Sequence, residues 1–428
     1  MPVMPTTPPA VVGRVRTVLA AAPAVLVRAL PARTPQPRTT AATRPAALSL
    51  VTALGWQVLA AGVGFWLIGA LLGWEETITA AAVAVTLLLA AAAFIVGRTS
   101  YGVVMDLART RVEVGDTAVG SISVSNTSAR PLLPASIELP VGAGTASFAV
   151  PRLKPEDVHE DLFTIPTAVR TVIKVGPVRS VRADPLRLLC RQVTLTDAVD
   201  LYVHPRTVSL AGSAEGLIRD LEGIPTTNLS NADVSFHALR DYVPGDDRRH
   251  IHWKTTARTN KLMVRQFEET RRSHLAMALS TNLDEYTTEA DLELAISAAA
   301  SIGKQAIREQ REVSVLTQDG RLRTDTARVL LDGMTRLVAE PSRLTATDVA
   351  RLTGDAVPNA SVMFLLVGAG VAPGQLRSAA ASAPPGVRCF AIRCQAGAAL
   401  DRRAIGDLTV LTLGELTELP RLLIKAVA

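Results

Sequence analysis

The chain has 428 residues, 48% hydrophobic but only 4% aromatic, with a formal charge of +6. That length implies two or three domains. The charge is confined: residues 1–50 hold six arginines (Arg14, Arg16, Arg28, Arg33, Arg38 and Arg44) and no acid, and the rest balances at 39 basic and 39 acidic residues. The high positive charge is therefore a property of the tail and is no evidence that the folded part binds nucleic acid; no specific nucleic-acid partner is expected.

Residues 1–47 are rich in Pro, Ala, Thr and Arg and hold no aromatic residue. A disordered basic tail is expected there. A short amphipathic helix over 18–30 would have to accommodate Pro23 near its middle.

Two apolar runs follow in 48–98. Neither 48–72 nor 78–97 contains an ionisable side chain. Each is long enough to cross a hydrocarbon core of about 30 Å. The connection 73–77, Gly-Trp-Glu-Glu-Thr, allows only a tight hairpin. Gly55, Gly62 and Gly69 recur every seven residues and share one helix face, where small residues allow a second helix to approach closely. Arginines precede the first run and Arg98 follows the second, whereas the turn carries only glutamates. The positive-inside rule then places both termini in the cytoplasm, with the chain a multi-pass protein of the inner (plasma) membrane. The region before the first run is too long for a cleaved signal peptide.

From 101 to 208 the pattern becomes short alternating strands (119–124, 163–165, 172–178) punctuated by Pro, Gly and Asn. A β-sandwich-like domain is expected. Residues 209–236 read as a linker. From 274 onward, apolar β-like runs at 274–279, 313–316, 362–367, 387–392 and 408–413 alternate with helical patterns, the first marked by the stripe Leu292, Ala295, Ile296, Ala299, Ile302 and Ile307. That alternation predicts an α/β doubly wound domain with a buried parallel sheet. The fold class is thus multidomain: transmembrane helical hairpin, β-sandwich-like domain, then α/β domain over 237–428.

Between linker and α/β pattern lies the densest concentration of charge, aromatics and turn residues. Val243-Pro244-Gly245-Asp246 suits a type II turn, with Gly245 supplying the positive φ. His250, His252 and Lys254 alternate with Ile251 and Trp253, as in a strand with Trp253 packed beneath it. Residues 237–272 hold nine Lys or Arg against five acids. Asp246 and Asp247 are expected to accept hydrogen bonds from backbone or from Arg249 and Arg258. The exposed cations would meet phosphate, anionic lipid or an acidic protein surface.

This segment resembles the signature of the bacterial family called domain of unknown function 58. The resemblance rests on Arg240, Tyr242, Gly245, Asp246, Asp247, Arg249, Ile251, Trp253, Lys254, Ala257, Arg258, Arg265 and Glu268. His252 stands where many members have Asp, so this chain offers an imidazole there in place of a carboxylate. Val-Gly-Pro-Val at 175–178, Asp184-Pro185-Leu186 and 202–206 look like further landmarks, so the resemblance covers roughly 100–428. It implies that the α/β domain is von Willebrand factor A-like. It also implies an association with MoxR-type AAA+ ATPases and transglutaminase-like membrane proteins. The expected binding residues are Arg240, Tyr242, Gly245, Asp246, Asp247, Arg249, His252, Trp253, Lys254, Arg258, Lys261 and Arg265.

Other chemistry is poorly represented. Von Willebrand factor A-like domains often hold Mg²⁺ through Asp-x-Ser-x-Ser after the first strand, where hard oxygen ligands are needed. Here Ser280 occupies the first position and Asp284 comes four residues late, so no metal is expected. His250-x-His252 lacks an evident third ligand, and Lys254 would repel a cation. Cys190, Cys389 and Cys394 are odd in number with no Cys-x-x-Cys and read as reduced, mostly buried small hydrophobes. Serine- or cysteine-hydrolase and phosphate-loop motifs are missing, and no cofactor is expected. The sequence therefore points to a non-enzymatic, bilayer-anchored adaptor that docks a protein partner. The competing readings are a tethered binder of anionic polymer or lipid, and an enzyme using Asp246, Asp247 and His252.

Overall fold

A computed structural model describes residues 25–26, 50–95, 101–132, 134–210, 229–230, 235–268 and 274–427. Most of the expected tail and linker, and the cations Arg271 and Arg272, lie outside the described residues. The chain forms two compact units, interleaved in sequence. The first takes residues 1–110, 117–166 and 173–201; the second takes 111–116, 167–172 and 202–428. Five chain crossings therefore lie inside the 101–208 region that the sequence reads as one domain.

In the first unit, helices α1 (Ala53–Leu72) and α2 (Glu75–Ile95) form the hairpin. Both are long and apolar enough to cross a membrane, and only 17% of the most apolar window of each is buried. A core helix of a globular protein would be largely covered, so this exposure favours membrane association. The turn is shorter than the sequence suggests. Glu75 and Glu76 already belong to the first turn of α2, where carboxylates are favoured by the helix dipole. The glycine stripe also divides its work. A Cβ on Gly62 would lie 3.1 Å from the Ala84 Cβ on α2, but one on Gly55 would lie 2.2 Å from the Leu188 carbonyl oxygen. Gly55 thus makes room for the loop at 184–189 and not for the second helix. Thr52 caps α1 through Gly55 N–H and also donates its hydroxyl to the Arg187 and Leu188 carbonyls.

The strands up to residue 204 are β1 (Val25–Leu26), β2 (Tyr101–Leu107), β3 (Arg111–Glu113), β4 (Thr117–Asn126), β5 (Ala135–Val141), β6 (Gly144–Val150), β7 (Val158–Pro166), β8 (Thr171–Val175), β9 (Arg179–Ala183), β10 (Cys190–Thr194) and β11 (Val199–His204). One sheet runs β1-β7-β4-β2; another contains β10-β9-β5-β8, with β6 on β5. Strand β4 alternates buried and exposed residues along its length, the pattern of a sheet with one dry face. Phe148 of β6 and Phe163 of β7 meet at 6.0 Å between ring centroids, joining the two sheets through a shared core.

The second unit holds β12 (Leu229–Ser230), β13 (Ser235–Asp241) and β14 (Met263–Glu268), ordered β12-β14-β13. It continues with β15 (His274–Leu279), β16 (Glu312–Thr317), β17 (Gly320–Leu322), β18 (Val362–Gly368), β19 (Arg388–Cys394), β20 (Asp401–Ile405) and β21 (Leu408–Leu413). These seven form one sheet ordered β17-β16-β15-β18-β19-β21-β20, parallel except at its two edge strands. Its faces bury different residues. Leu275, Met277 and Leu279 of β15 pack with the helices Glu289–Arg308, Ala327–Thr335 and Leu419–Val427. Ala276 and Ala278 pack with the helices Ala346–Ala356 and Pro373–Ala381. The helix starts are locally encoded: Thr288 and Asp291 form a reciprocal capping box, and Pro373 occupies the first turn.

Candidate functional site

The signature segment is a two-stranded ribbon with a long insertion. β13 and β14 pair antiparallel, with Arg240 opposite Val264 and Asp241 opposite Met263. The insertion opens with the expected turn: Asp246 N–H donates to the Val243 carbonyl at 3.0 Å, and Gly245 has φ +115°. The Asp246 carboxylate closes it by accepting both Arg240 terminal nitrogens at 2.6 Å and Val243 N–H at 2.9 Å. This bidentate pair holds Asp246 below the ordinary carboxylate range, the Arg240 hydrogen bonds contributing most. Asp247 caps a 3-10 turn, Arg248–His250, by accepting Arg249 N–H at 2.9 Å. Backbone donors thus serve both aspartates as expected, whereas Arg240 supplies the guanidinium, not Arg249 or Arg258.

Beyond the turn the structure departs from the sequence reading. Residues 250–254 are not a strand. Ile251 makes one isolated bridge to Val264, and Trp253–Thr259 is an α-helix. Local polar bonds decide this. The His252 ring accepts Thr255 N–H at the helix start, and Asn260 ends the helix in the left-handed conformation with φ +55°. Such caps outweigh a two-residue alternation of only five positions. The second correction follows. Trp253 does not pack beneath a strand but is 66% exposed. It stands in the first helical turn beside the exposed Lys254. Ile251 and Val264 are the buried residues of this segment instead.

The remaining expected residues divide in the same way. Arg240, Gly245, Asp246, Asp247 and His252 hold the insertion together. Tyr242 ties it to the returning chain, donating its backbone N–H to Leu262 at 2.9 Å. Arg249, Lys254, Arg258, Lys261 and Arg265 are exposed. No hydrogen bond among the described residues joins His252 to Asp246 or Asp247. His250 and His252 belong to different elements, so they do not share a strand face.

At the carboxyl end of β15, polar side chains close on one another. Ser280 Oγ donates to Glu285 at 2.6 Å and accepts from Gln318 at 2.8 Å. The Ser280 carbonyl accepts the Tyr286 hydroxyl at 2.6 Å, and burial pushes that phenol well above its ordinary range. Glu285 also accepts Ala346 N–H at 2.7 Å. Asp284 is exposed. Among the described residues no cluster of three His, Cys, Asp or Glu has a metal-binding arrangement. Sequence reasoning missed Glu285 and Gln318, because Gln318 follows a different strand and nothing in the local spacing links them.

A third polar centre was also invisible in the sequence. Arg111 donates to Asp332 through Nε at 2.9 Å and Nη2 at 2.8 Å, while His204 Nε2 lies 2.8 Å from the same carboxylate. Burial pushes Asp332 upward, but the bonds from Arg111 and His204 outweigh it and leave the carboxyl below its ordinary value. The centre fixes β3 and the end of β11 to the helix Ala327–Thr335. All three cysteines are free, and burial raises Cys389 to about 11.

No curated protein matches this chain. Solved structures resemble parts of it. They include the CARDB domain of the PF1109 protein from Pyrococcus furiosus in complex with di-metal ions (12% identity, 25% of this chain and 97% of that one, TM-score 0.19). A beta-glucosidase from Listeria innocua in complex with isofagomine (10% identity, 26% and 17%, TM-score 0.18) and the sporulation control protein Spo0M from Bacillus subtilis (14% identity, 34% and 58%, TM-score 0.17) are also similar. At these scores none carries an argument about fold or function. Residues 238–351, which contain the turn, the capped helix and the Ser280 network, match the family described as protein of unknown function DUF58, which supports the resemblance read from the signature.

Proposed function

We propose that the protein is a non-enzymatic, membrane-anchored adaptor whose signature insertion docks a protein partner. The observation that carries this reading is the exposure of Trp253 at the head of a short helix also bearing exposed Lys254 and Arg258. Exposed tryptophan among cations has the composition of a binding hot spot. Of the acids in this segment, Asp246 is committed to Arg240 and Asp247 to the 3-10 turn. The surface therefore offers a surplus of positive charge around an aromatic anchor and suits an acidic partner face.

The α/β region is read as doubly wound and von Willebrand factor A-like, supported by its parallel order and by helices on both faces. The Ser280 network suits a docking platform, because the polar groups at the carboxyl end of β15 satisfy one another. The hairpin is read as a multi-pass inner-membrane anchor with both termini cytoplasmic, on the charge asymmetry of its flanks. The β-sandwich is read as a spacer. The family resemblance makes a MoxR-type AAA+ ATPase the first partner to test, with transglutaminase-like membrane proteins and a role in envelope assembly as wider context.

The test is capture of a MoxR-type ATPase from the same cell by full-length protein in detergent, comparing wild type, Trp253→Ala and the pair Lys254→Ala/Lys261→Ala. Loss of a hot-spot tryptophan is expected to weaken binding by at least about 2 kcal/mol, roughly 30-fold. Capture unaffected by all three substitutions would remove the segment as the docking site. Steeply salt-dependent binding to an anionic polymer or lipid instead would favour the tethered-binder reading.

A further inference from the structure

In the first unit, the turn between β9 and β10, residues 184–189, is bonded to the start of α1. The two strands form an antiparallel hairpin, with Cys190 opposite Ala183. Val51 bridges Leu189 in the antiparallel sense, Cys190 N–H donates to the Leu50 carbonyl at 2.8 Å, and Thr52 N–H donates to the Leu188 carbonyl at 3.1 Å. The chain entering α1 therefore runs beside the hairpin toward its turn, and the turn is the end of the hairpin nearest the span. Helix α1 has 20 residues and covers about 30 Å, no more than a hydrocarbon core requires. Its first turn has no length to spare and belongs at the boundary between headgroups and acyl chains. Gly55, in that first turn, faces the Leu188 carbonyl. Leu186 is only two residues from Leu188, within about 8 Å along the backbone.

The turn is stiff. The buried Asp184 carboxylate accepts Leu189 N–H at 2.7 Å and Leu186 N–H at 3.0 Å, and Arg187 N–H donates to the Asp184 carbonyl at 2.9 Å. The one acid of the turn is thus directed inward onto backbone donors. What the turn exposes is Pro185, Leu186 at 56%, and the single cation, Arg187.

We propose that this turn rests in the membrane interface, with Pro185 and Leu186 against the outermost acyl carbons and Arg187 bonded to a lipid phosphate. The proposal rests on the reading of α1 and α2 as a membrane anchor. Apolar side chains beside a cation are the composition that interfacial binding favours. Leu186 leaves water there, and the guanidinium gains a phosphate that it can engage through paired charge-assisted bonds. Because Asp184 already fixes the turn, docking orders little new chain. The contact fixes the orientation of the β9–β10 hairpin relative to the bilayer.

In the experiment, full-length protein is reconstituted in vesicles of phosphatidylcholine and phosphatidylglycerol and carries one nitroxide at a time. Cys190→Ala and Cys389→Ala remove the half-buried thiols, and Cys394 is fully buried. The label is then placed by Leu186→Cys at the tip, by Thr194→Cys at the far end of β10, or by Val63→Cys in the middle of α1. Collisions with molecular oxygen, which concentrates among acyl chains, and with an aqueous nickel chelate report depth. The span label is expected deep in the core and the strand label in water. The tip label is expected about 5–10 Å into the interface. Arg187→Asn should shift the tip label toward water, because Asn suits the φ of +54° at this position but carries no charge. Melting temperatures equal to that of the parent chain separate a lost membrane contact from lost folding. A tip label as open to the chelate as the strand label, with the span label protected, would overturn the proposal and leave the anchor standing. A span label open to the chelate would overturn both. A tip label whose depth is unaffected by Arg187→Asn would overturn the phosphate contact.

Discussion

The glycines of α1 allow a sharp test of how the hairpin is joined to the sheets of its own unit. The perturbation is addition of one methyl group at Gly55, Gly62 or Gly64. At Gly55 the new Cβ would lie 2.2 Å from the Leu188 carbonyl oxygen, over 1 Å inside ordinary contact. The obstacle is backbone, so the loop itself must move. Movement would break the Thr52 N–H bond to Leu188 at 3.1 Å and the Thr52 hydroxyl bonds to Arg187 and Leu188. Overpacking costs about 1–3 kcal/mol and each lost hydrogen bond about 1 kcal/mol. Replacing glycine in a helix returns roughly 1 kcal/mol. With the single hydroxyl proton of Thr52 counted as one shared bond, Gly55→Ala should therefore lose about 2–4 kcal/mol net. At Gly62 the clash is a mild 3.1 Å with Ala84 Cβ, and at Gly64 nothing lies within 4 Å. Those substitutions should be near neutral and slightly stabilising, respectively. The assay is reversible unfolding of the detergent-solubilised chain followed by tryptophan fluorescence, since Trp56, Trp66 and Trp74 lie in or beside the hairpin. Equal stability of Gly55→Ala and Gly64→Ala would refute the docking of the Leu188 loop on the first turn of the span.

Other substitutions separate structural from binding roles. Trp253→Ala should change stability by less than about 0.5 kcal/mol, because the ring is exposed, and denaturant titration would show it. Arg240→Ala should release the 243–246 turn, detected as faster amide exchange at Val243 with Lys254 and Lys261 unaltered in sequence. Asp332 should give the second unit an acid-sensitive component. Its folded pKa is lowered, so its stabilisation is present above about pH 4 and is lost as pH falls toward the folded value. Asp332→Asn should flatten that part of the stability profile below pH 4 while lowering the plateau. His274 is also held below its ordinary value, burial being the main cause. Its contribution is complete above about pH 6.5 and declines as pH falls through that point. An acid limb beginning near neutrality and absent from His274→Gln, measured by melting temperature against pH, would check it.

The sequence by itself determined what repeats or lies close along the chain. Two charge-free runs gave the hairpin helices, because apolar length is a local property. The aliphatic runs at 274–279 and 408–413 became β15 and β21 with the expected bounds, because strands buried on both faces need unbroken apolar sequence. Val243-Pro244-Gly245-Asp246 made its turn because Pro and Gly fix the backbone without distant help. The short helix at 253–259 was misread as a strand for a related reason. Five alternating residues fit either pattern, and the choice fell to a His252 cap and an Asn260 stop. Only the tertiary structure decided the rest. It brought Arg111, His204 and Asp332 together, set Gln318 and Glu285 on Ser280, and turned Gly55 toward Leu188. These groups come from different strands and helices, and neither spacing nor periodicity records a meeting between residues tens or hundreds of positions apart. Pairing of the elements creates such neighbours, and their charge and burial then set the chemistry.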